Sequence, residues 1–323
     1  MRAAQIEAHG GVERIRIVER ETPEPAAGEV RVRVEAAGVN FVDVYHRTGL
    51  YKTELPFVLG REGAGVVDAV GPGVTELVVG DRVAWMSVAG SYATHVIARP
   101  QDLVEVPERV ESIRAAAVML QGLTAHFLTQ STWKLERGQR CLFHAAAGGV
   151  GLLFCQIARR IGADVIGTVS TAEKARLARE AGATHTIDYV QTDFEEEVKR
   201  LTAGALVDVV YDSVGKTTFE KSLRCVRPRG LLVSFGQSSG VVPPLELRVL
   251  LDHGSLFVTR PSLRDYTRTP EEFSARAEEV LGWVARGELF VRVHEVLPLD
   301  RAADAHRMLE GRGTAGKLVI TPP

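Results

Sequence analysis

The stretch "FHAAAGGVGLLFCQIARRIGADVIGTVSTAEKARLAREAG", Phe143 to Gly182, decides how the chain is read. Gly148, Gly149 and Gly151 lie where an apolar run with the look of a buried strand meets a long helical pattern. Without a Cβ, backbone N–H groups at such a turn can approach a pyrophosphate, and the helix N-terminus adds favourable partial charge. Against the pattern G-x-G-x-x-G the best register is Ala146, Gly148, Gly151, with alanine replacing the first glycine. Small residues at a strand–helix junction also serve plain close packing, but the flanking strand and helix are the context a nucleotide turn demands. An NAD site places a carboxylate about twenty positions further on, bonded to the ribose 2′-hydroxyl. Here that distance falls on Thr168 to Ser170, which hold no acid, and Lys174 follows. Ser170 can donate to a 2′-phosphate and Lys174 can pair with one, so the spacing favours NADPH.

Outward from this stretch the rhythm of strand and helix continues. "THTIDY", "VDVVYDSV", "GLLVSFG" and "GSLFVTRP" read as strands, with "TDFEEEVKRLT" and "KTTFEKSLRCV" as helices between the earlier ones. Such alternation builds a parallel sheet covered on both faces. Upstream, "EVRVRVEAAGV" alternates at the period of a half-buried strand, and "GAGVVDAVGPGV", "VVGDRVAWM" and "SYATHVIARP" add short strands with turn signals. That opening reads as a small barrel, and "SIRAAAVMLQGLTAHFLTQ" as the helix that ends it. The tail, a helix "EEFSARAEEVLGWVARGEL" and strands such as "KLVITPP", fits the barrel better than the α/β block. One discontinuous domain interrupted by an inserted nucleotide fold follows: 1–120 barrel, 121–260 nucleotide-binding, 261–323 return to the barrel.

The chain has 323 residues, 25% of them charged, and a formal net charge of −2. A near-neutral balance gives no long-range field for nucleic acid or acidic membranes. No apolar run is long enough to span a bilayer, and "MRAAQIEAHGG" lacks the apolar centre of a signal peptide, so the cytoplasm is the expected address. Cys141, Cys155 and Cys225 are odd in number and scattered, which argues against a disulfide framework or a thiolate metal site. Arginine greatly outnumbers lysine and Asn40 is the only asparagine, a bias that thermostability and a GC-rich genome both produce.

Taken in order, "AGVNFVDVYHRTGLY", "LGREGAGVVDAVGPGV", "GDRVAW", "LQGLTAHFL", "FHAAAGGVG", "YDSVG" and "VSFGQSSG" resemble the quinone oxidoreductase branch of the medium-chain dehydrogenase/reductase superfamily. The resemblance covers essentially the whole chain. It implies a GroES-like β-barrel catalytic domain with an inserted Rossmann-type, doubly wound parallel sheet, NADPH in the cleft between them, and a homodimer joined through the strand "GSLFVTRP". It also implies site residues. Asn40, Asp43, Tyr45 and Tyr51 would line the catalytic cleft, with Asn40 positioning nicotinamide and substrate and the tyrosines serving as phenolic walls and donors. Asp43 has the plainer alternative of ordering its loop, and Tyr51 that of a loop aromatic beside Gly49. Gln121 and Thr124 would face the nicotinamide ribose or ring, and Gly148, Gly149 and Val150 the pyrophosphate. Ser170, Lys174 and Tyr189 would surround the 2′-phosphate and adenosine. Ser213, Phe235, Gly236, Ser238 and Phe257 would lie near the nicotinamide, and Gly316 and Lys317 would return from the barrel to the coenzyme.

Zinc alcohol dehydrogenases share this architecture, so the metal must be judged from the residues. The resemblance places Asn40 and Arg61 where those enzymes carry a cysteine and a histidine on zinc, although Glu62 remains. "MLQGLT" lacks the third ligand, Trp85 to Glu108 has no cysteine, and His46, His95, His126, His144 and His185 are scattered. No zinc site is expected. Quinone reduction needs no Lewis acid, because the acceptor is already a strong electrophile and its anion is delocalised. A zinc-independent NADPH:quinone oxidoreductase is therefore the leading expectation. An NADPH-dependent alkenal or enone double-bond reductase and a non-catalytic crystallin-like nucleotide-binding protein are the alternatives.

Overall fold

The computed structural model describes residues 1–323. The chain forms two compact units, Met1–Leu123 with Thr267–Pro323, and Thr124–Tyr266. The opening stretch contains β1 (Arg2–Ile6), β2 (Arg16–Glu19), β3 (Val30–Gly38), α1 (Phe41–Thr48), β4 (Phe57–Val58), β5 (Glu62–Val70), β6 (Arg82–Trp85), β7 (His95–Ala98), β8 (Val104–Glu105) and α2 (Ser112–Phe127). Next come β9 (Arg140–Phe143), α3 (Gly149–Ile161), β10 (Asp164–Val169), α4 (Ala172–Ala181), β11 (His185–Asp188) and α5 (Phe194–Leu201). The second unit closes with β12 (Val207–Asp212), α6 (Phe219–Cys225), β13 (Val226–Ser234), α7 (Leu247–Asp252) and β14 (Phe257–Thr259). The return supplies α8 (Pro270–Ala285), β15 (Val293–Pro298), α9 (Ala302–Glu310) and β16 (Lys317–Thr321).

In the first unit the alternation of "VRVRV" does what a period of two dictates. Val30, Val32 and Val34 point into the core, while Arg31 turns outward to meet Asp68 at 2.9 Å. β3 is the hub of this sheet: it pairs antiparallel with β5, β7 and β16. The main path runs β15-β16-β3-β5-β6-β8, so a strand from the end of the chain completes a sheet begun at its start. Trp85, Leu59, Val67 and Ile320 are fully buried there. Each such side chain contributes about 1.5–3 kcal/mol by leaving water.

The second unit is a six-stranded sheet in the order β11-β10-β9-β12-β13-β14, with every pairing parallel. Counted within the unit this is 3-2-1-4-5-6, the Rossmann order, whose direction reverses between β9 and β12. Its helices start and stop where local chemistry requires. Thr171 caps α4 by accepting from Lys174 N at 3.2 Å, and Asp193 caps α5 through Glu195 N at 3.0 Å. Gly162 ends α3 in the left-handed region at φ 87°. One helix departs from its expected form: after Phe127 the chain widens into a π-helical turn over Leu128–Thr132. Thr129 Oγ1 donates back to the carbonyls of Ala125 and His126 at 2.9 and 3.0 Å, a competition that loosens helical turns.

Candidate functional site

In the second unit the expected nucleotide residues gather at the carboxyl ends of β9 to β13, the side where open α/β sheets bind ligands. Gly148 precedes α3, and no side chain caps that helix. The first-turn N–H groups of Gly149, Val150 and Gly151 are therefore left for an anion. A Cβ on Gly151 would stand 2.6 Å from the carbonyl oxygens of Ala145 and Ala146, so the turn closes only over glycine. The missing first glycine has a local remedy. Ala146 is fully buried, and a Cβ on Gly167 would come within 2.6 Å of its methyl. Glycine in β10 makes the room that glycine in the turn usually makes.

At the end of β10, Lys174 Nζ lies 3.5 Å from Ser170 Oγ, and burial lowers the lysine pKa. Tyr189 follows β11 and is exposed. This corner offers a cation, a hydroxyl and an aromatic face where an NAD site would put a carboxylate, which fits a 2′-phosphorylated dinucleotide. Ser213 sits just beyond β12, in a loop held by Asp212. One oxygen of that buried carboxylate accepts from Val214 N and Gly215 N at 2.8 and 2.9 Å, the other from Thr218 Oγ1 and Ser222 Oγ at 2.7 and 3.0 Å. Phe235 N and Gly236 N donate to Asp212 O, and Ser238 N to Ser213 O. A Cβ on Gly236 would meet Ser213 O at 2.5 Å, so these two loops touch because one of them is glycine.

The first unit assembles its residues from three neighbouring strand ends. Asn40 follows β3, Glu62 opens β5 and Lys317 opens β16. Lys317 Nζ lies 2.5 Å from Glu62 Oε2 and 2.7 Å from Asn40 Oδ1. Asn40 Nδ2 donates to the same Glu62 oxygen at 2.8 Å and to Gly38 O at 3.2 Å. All three side chains are buried, and burial lowers the Lys317 pKa against the opposing pull of Glu62. Asp43, on the first turn of α1, accepts from Asn40 N at 2.9 Å and from Tyr92 OH at 3.0 Å. Its other oxygen is buried without a partner, and burial pushes its pKa up to about 7. Gly49 ends α1 at φ 81°, and the chain turns back so that Tyr51 meets Tyr45 edge to face, with ring centroids 5.2 Å apart. Tyr51 also meets His46 at 5.8 Å, and His46 meets Phe57 at 5.4 Å, which builds an aromatic wall along α1.

Some residues stand differently from expectation. Both Nδ2 protons of Asn40 are spent inside the unit, so its amide has no N–H to give a substrate. Lys317 is 1% exposed, and Gly316, at φ 88°, turns the chain into β16. Gln121 lies on α2 within the first unit, and Thr124, buried on the same helix, opens the second. Phe257 is not with the other nucleotide residues: it opens β14 at its amino end and is 61% exposed. Other positions were not foreseen. His144 Nε2 lies 2.9 Å from Ser222 Oγ and its Nδ1 3.1 Å from Thr168 Oγ1, which in turn accepts from Ala145 N. Asp212, Ser222, His144 and Thr168 thus tie the glycine turn to the Ser213 loop. Arg260 Nη1 donates to Ser234 O at 2.8 Å, bracing the end of β13.

Comparison with known proteins accords with this geometry. Residues 26–108 match the alcohol dehydrogenase GroES-like domain, and residues 149–284 match the zinc-binding dehydrogenase family. The chain is 49% identical to a quinone oxidoreductase of Pseudomonas aeruginosa, with 98% of each chain covered. It is 43% identical to a 2-haloacrylate reductase of a Burkholderia species, covering 99% of this chain and 98% of that one. The crystal structure of Escherichia coli quinone oxidoreductase complexed with NADPH superposes with a TM-score of 0.98 at 43% identity over the whole of both chains. The family description speaks of zinc, but the donor set here does not fit that ion. No three His, Cys, Asp or Glu side chains are grouped to hold a metal. Glu62, which the resemblance sets in the zinc motif, has one oxygen on Lys317 and Asn40 and the other on Leu120 N at 2.6 Å. From the two domain matches, the full-length identities and the shared architecture, the chain belongs to the quinone oxidoreductase branch of the medium-chain dehydrogenase/reductase superfamily.

Proposed function

We propose that the chain is a zinc-independent NADPH:quinone oxidoreductase. The observation that carries this reading is the pairing of full-length similarity to quinone oxidoreductases with a β10 corner built for a 2′-phosphate. NADPH, when bound, supplies the hydride. The chain's own residues bind and orient: Gly148 to Gly151 hold the pyrophosphate, and Ser170, Lys174 and Tyr189 the adenosine end. Ser213, Phe235, Gly236 and Ser238 border the nicotinamide. Tyr45 and Tyr51 offer flat faces to a planar acceptor and hydroxyls to the oxygen that gains charge. Because Asn40 has no N–H left, those phenols are the donors this reading needs.

The test is NADPH consumption by the purified protein with 1,4-benzoquinone or phenanthrenequinone, set against a small enal and 2-chloroacrylate. Rapid turnover of the quinones supports the reading. Turnover of the enal or haloacrylate alone gives the second reading, a double-bond reductase, which the 43% identity to the 2-haloacrylate reductase favours. No oxidation with any acceptor leaves a nucleotide-binding protein without turnover.

We further propose a cytoplasmic homodimer. All three cysteines are free and buried, and no helix is long and apolar enough to cross a membrane. β14 is an edge strand, and Phe257, Leu247 and Leu251 beside it are 61%, 78% and 65% exposed. A second copy pairing through a two-fold axis would cover them. Phe257→Asp is expected to halve the mass seen in sedimentation; a wild-type monomer would end this proposal.

A further inference from the structure

We propose that Lys317, paired with Glu62, is a positioning residue that holds the Asn40 amide in one orientation. This rests on the reading of the first unit as the catalytic one. The pair is built into the sheet register. Val319 stands opposite Gly38 and Gly38 opposite Glu62, so the ends of β16, β3 and β5 bring Lys317, Asn40 and Glu62 side by side. Gly38 makes the space, since a Cβ there would stand 2.2 Å from Glu62 Oε2 and 2.6 Å from Ala116 O. Glu62 then spends one oxygen on Leu120 N of α2, one residue before Gln121, and the other on Lys317 and Asn40.

A buried ion pair is a poor device for stability alone. Well-packed apolar residues of the same volume serve as well or better, because each charge loses its water on burial. What the pair gives here is direction. Lys317 can only donate, so the atom facing it at 2.7 Å must be Asn40 Oδ1. Glu62 accepts with both oxygens, from Leu120 N and from Lys317, so the Asn40 atom facing it must be Nδ2. Reversing the amide would set donor against donor and acceptor against acceptor. One carboxylate therefore fixes both the Asn40 amide and the α2 backbone beside Gln121, and Lys317 holds that carboxylate in place.

Asn40 is the only asparagine in the chain, which makes the test direct. Protein labelled with [15N]asparagine shows one side-chain amide, read in wild type and in Lys317→Met. The wild-type amide is expected to exchange slowly with solvent. In Lys317→Met its signals are expected to shift, with exchange at least tenfold faster. With quinone and NADPH, kcat should fall by about 100-fold, the scale of a small misplacement near the reacting atoms, while the NADPH Kd stays within about twofold. In an Asn40→Ala background Lys317→Met should lower kcat no further. An unmoved amide signal overturns the proposal, as do independent, multiplying effects of the two substitutions. So does a raised NADPH Kd at unchanged kcat, which would make Lys317 a coenzyme contact. If Lys317→Met fails to fold, Glu62→Gln/Lys317→Met leaves no charge unpaired and carries the same comparisons. The amide signal needs no acceptor, so a wild type inactive toward quinones sinks the quinone reading and leaves this proposal to the spectrum.

Discussion

Replacing Lys174 by alanine should convert an enzyme that prefers NADPH into one that scarcely distinguishes the two coenzymes. The ammonium sits 3.5 Å from Ser170 Oγ, so both groups address one point at the end of β10. Two unit charges about 4 Å apart attract by about 4 kcal/mol at an effective dielectric of about 20. The side chain is only partly buried, and water screens part of that attraction. A hydrogen bond to a charged group nets about 1.5–3 kcal/mol. At about 1.4 kcal/mol per factor of ten, Lys174→Ala should weaken NADPH by about 10- to 150-fold. NADH has no phosphate there and should keep its affinity within about twofold. Ser170→Ala loses a neutral donor to the same charged group, at the low end of that range, about 1.5 kcal/mol, and should weaken NADPH by about 12-fold. Coenzyme fluorescence titrations with both nucleotides give all of these constants, and added salt should narrow the wild-type preference by screening the pair. Equal wild-type affinities for NADH and NADPH, or a Lys174→Ala variant that loses both in parallel, would refute the reasoning.

Two glycines of the turn should fail in different ways. Gly151→Ala presses a methyl to 2.6 Å from two backbone oxygens, so melting should show a loss of about 1–3 kcal/mol together with lost NADPH binding. Gly148 has φ −71°, and its nearest neighbour to a new Cβ is Ala145 O at 3.1 Å, so Gly148→Ala should fold with near-native stability yet bind NADPH poorly. Asp43 should leave a mark on the pH dependence of stability. Burial raises its pKa from 3.8 to about 7, so the folded chain holds a proton that the unfolded chain has released. That proton's contribution is whole below about pH 4, is lost as pH rises toward 7, and amounts to about 4 kcal/mol. Asp43→Asn removes it, and the difference between the two denaturation curves isolates it from the histidines that titrate nearby. Parallel curves from pH 4 to 7 would show that Asp43 is ionised throughout.

Local rules made much of this fold legible. Short strands alternating with helices point to a parallel sheet, and right-handed crossovers narrow the strand orders it can take to a few, 3-2-1-4-5-6 among them. The glycine turn and the absent acid at Ser170 could be read because each acts within about twenty-five residues of the other. The first unit was harder. Lys317 and Glu62 stand 255 positions apart, and only the register of antiparallel strands reveals them as a pair. The resemblance set Glu62 beside a zinc motif and Lys317 beside the coenzyme, but neither reading links the two residues to each other. His144 likewise looked ordinary, because the hydroxyls that hold it, on Thr168 and Ser222, come from other elements.

The charge arrangement of the first unit also narrows the acceptors it can serve. Lys317 is neutralised by Glu62 at 2.5 Å and cannot turn toward a developing oxyanion without stranding that carboxylate. Asn40 has no proton to offer, and Asp43 is capped by Asn40 N and Tyr92. Along α1 stands a wall of rings, Tyr45, Tyr51 and His46, and in the proposed reading its phenols, far weaker electrophiles than a metal ion or an unpaired ammonium, would face the acceptor. On the proposed reading, a site so equipped would contribute shape and a hydrogen bond but little polarisation, and its substrate would have to bring its own electrophilicity. A quinone does, since the electrons it accepts complete an aromatic ring; a simple ketone does not. Ketone turnover at a rate comparable with benzoquinone would therefore mean that a stronger electrophile than these phenols reaches the acceptor's oxygen.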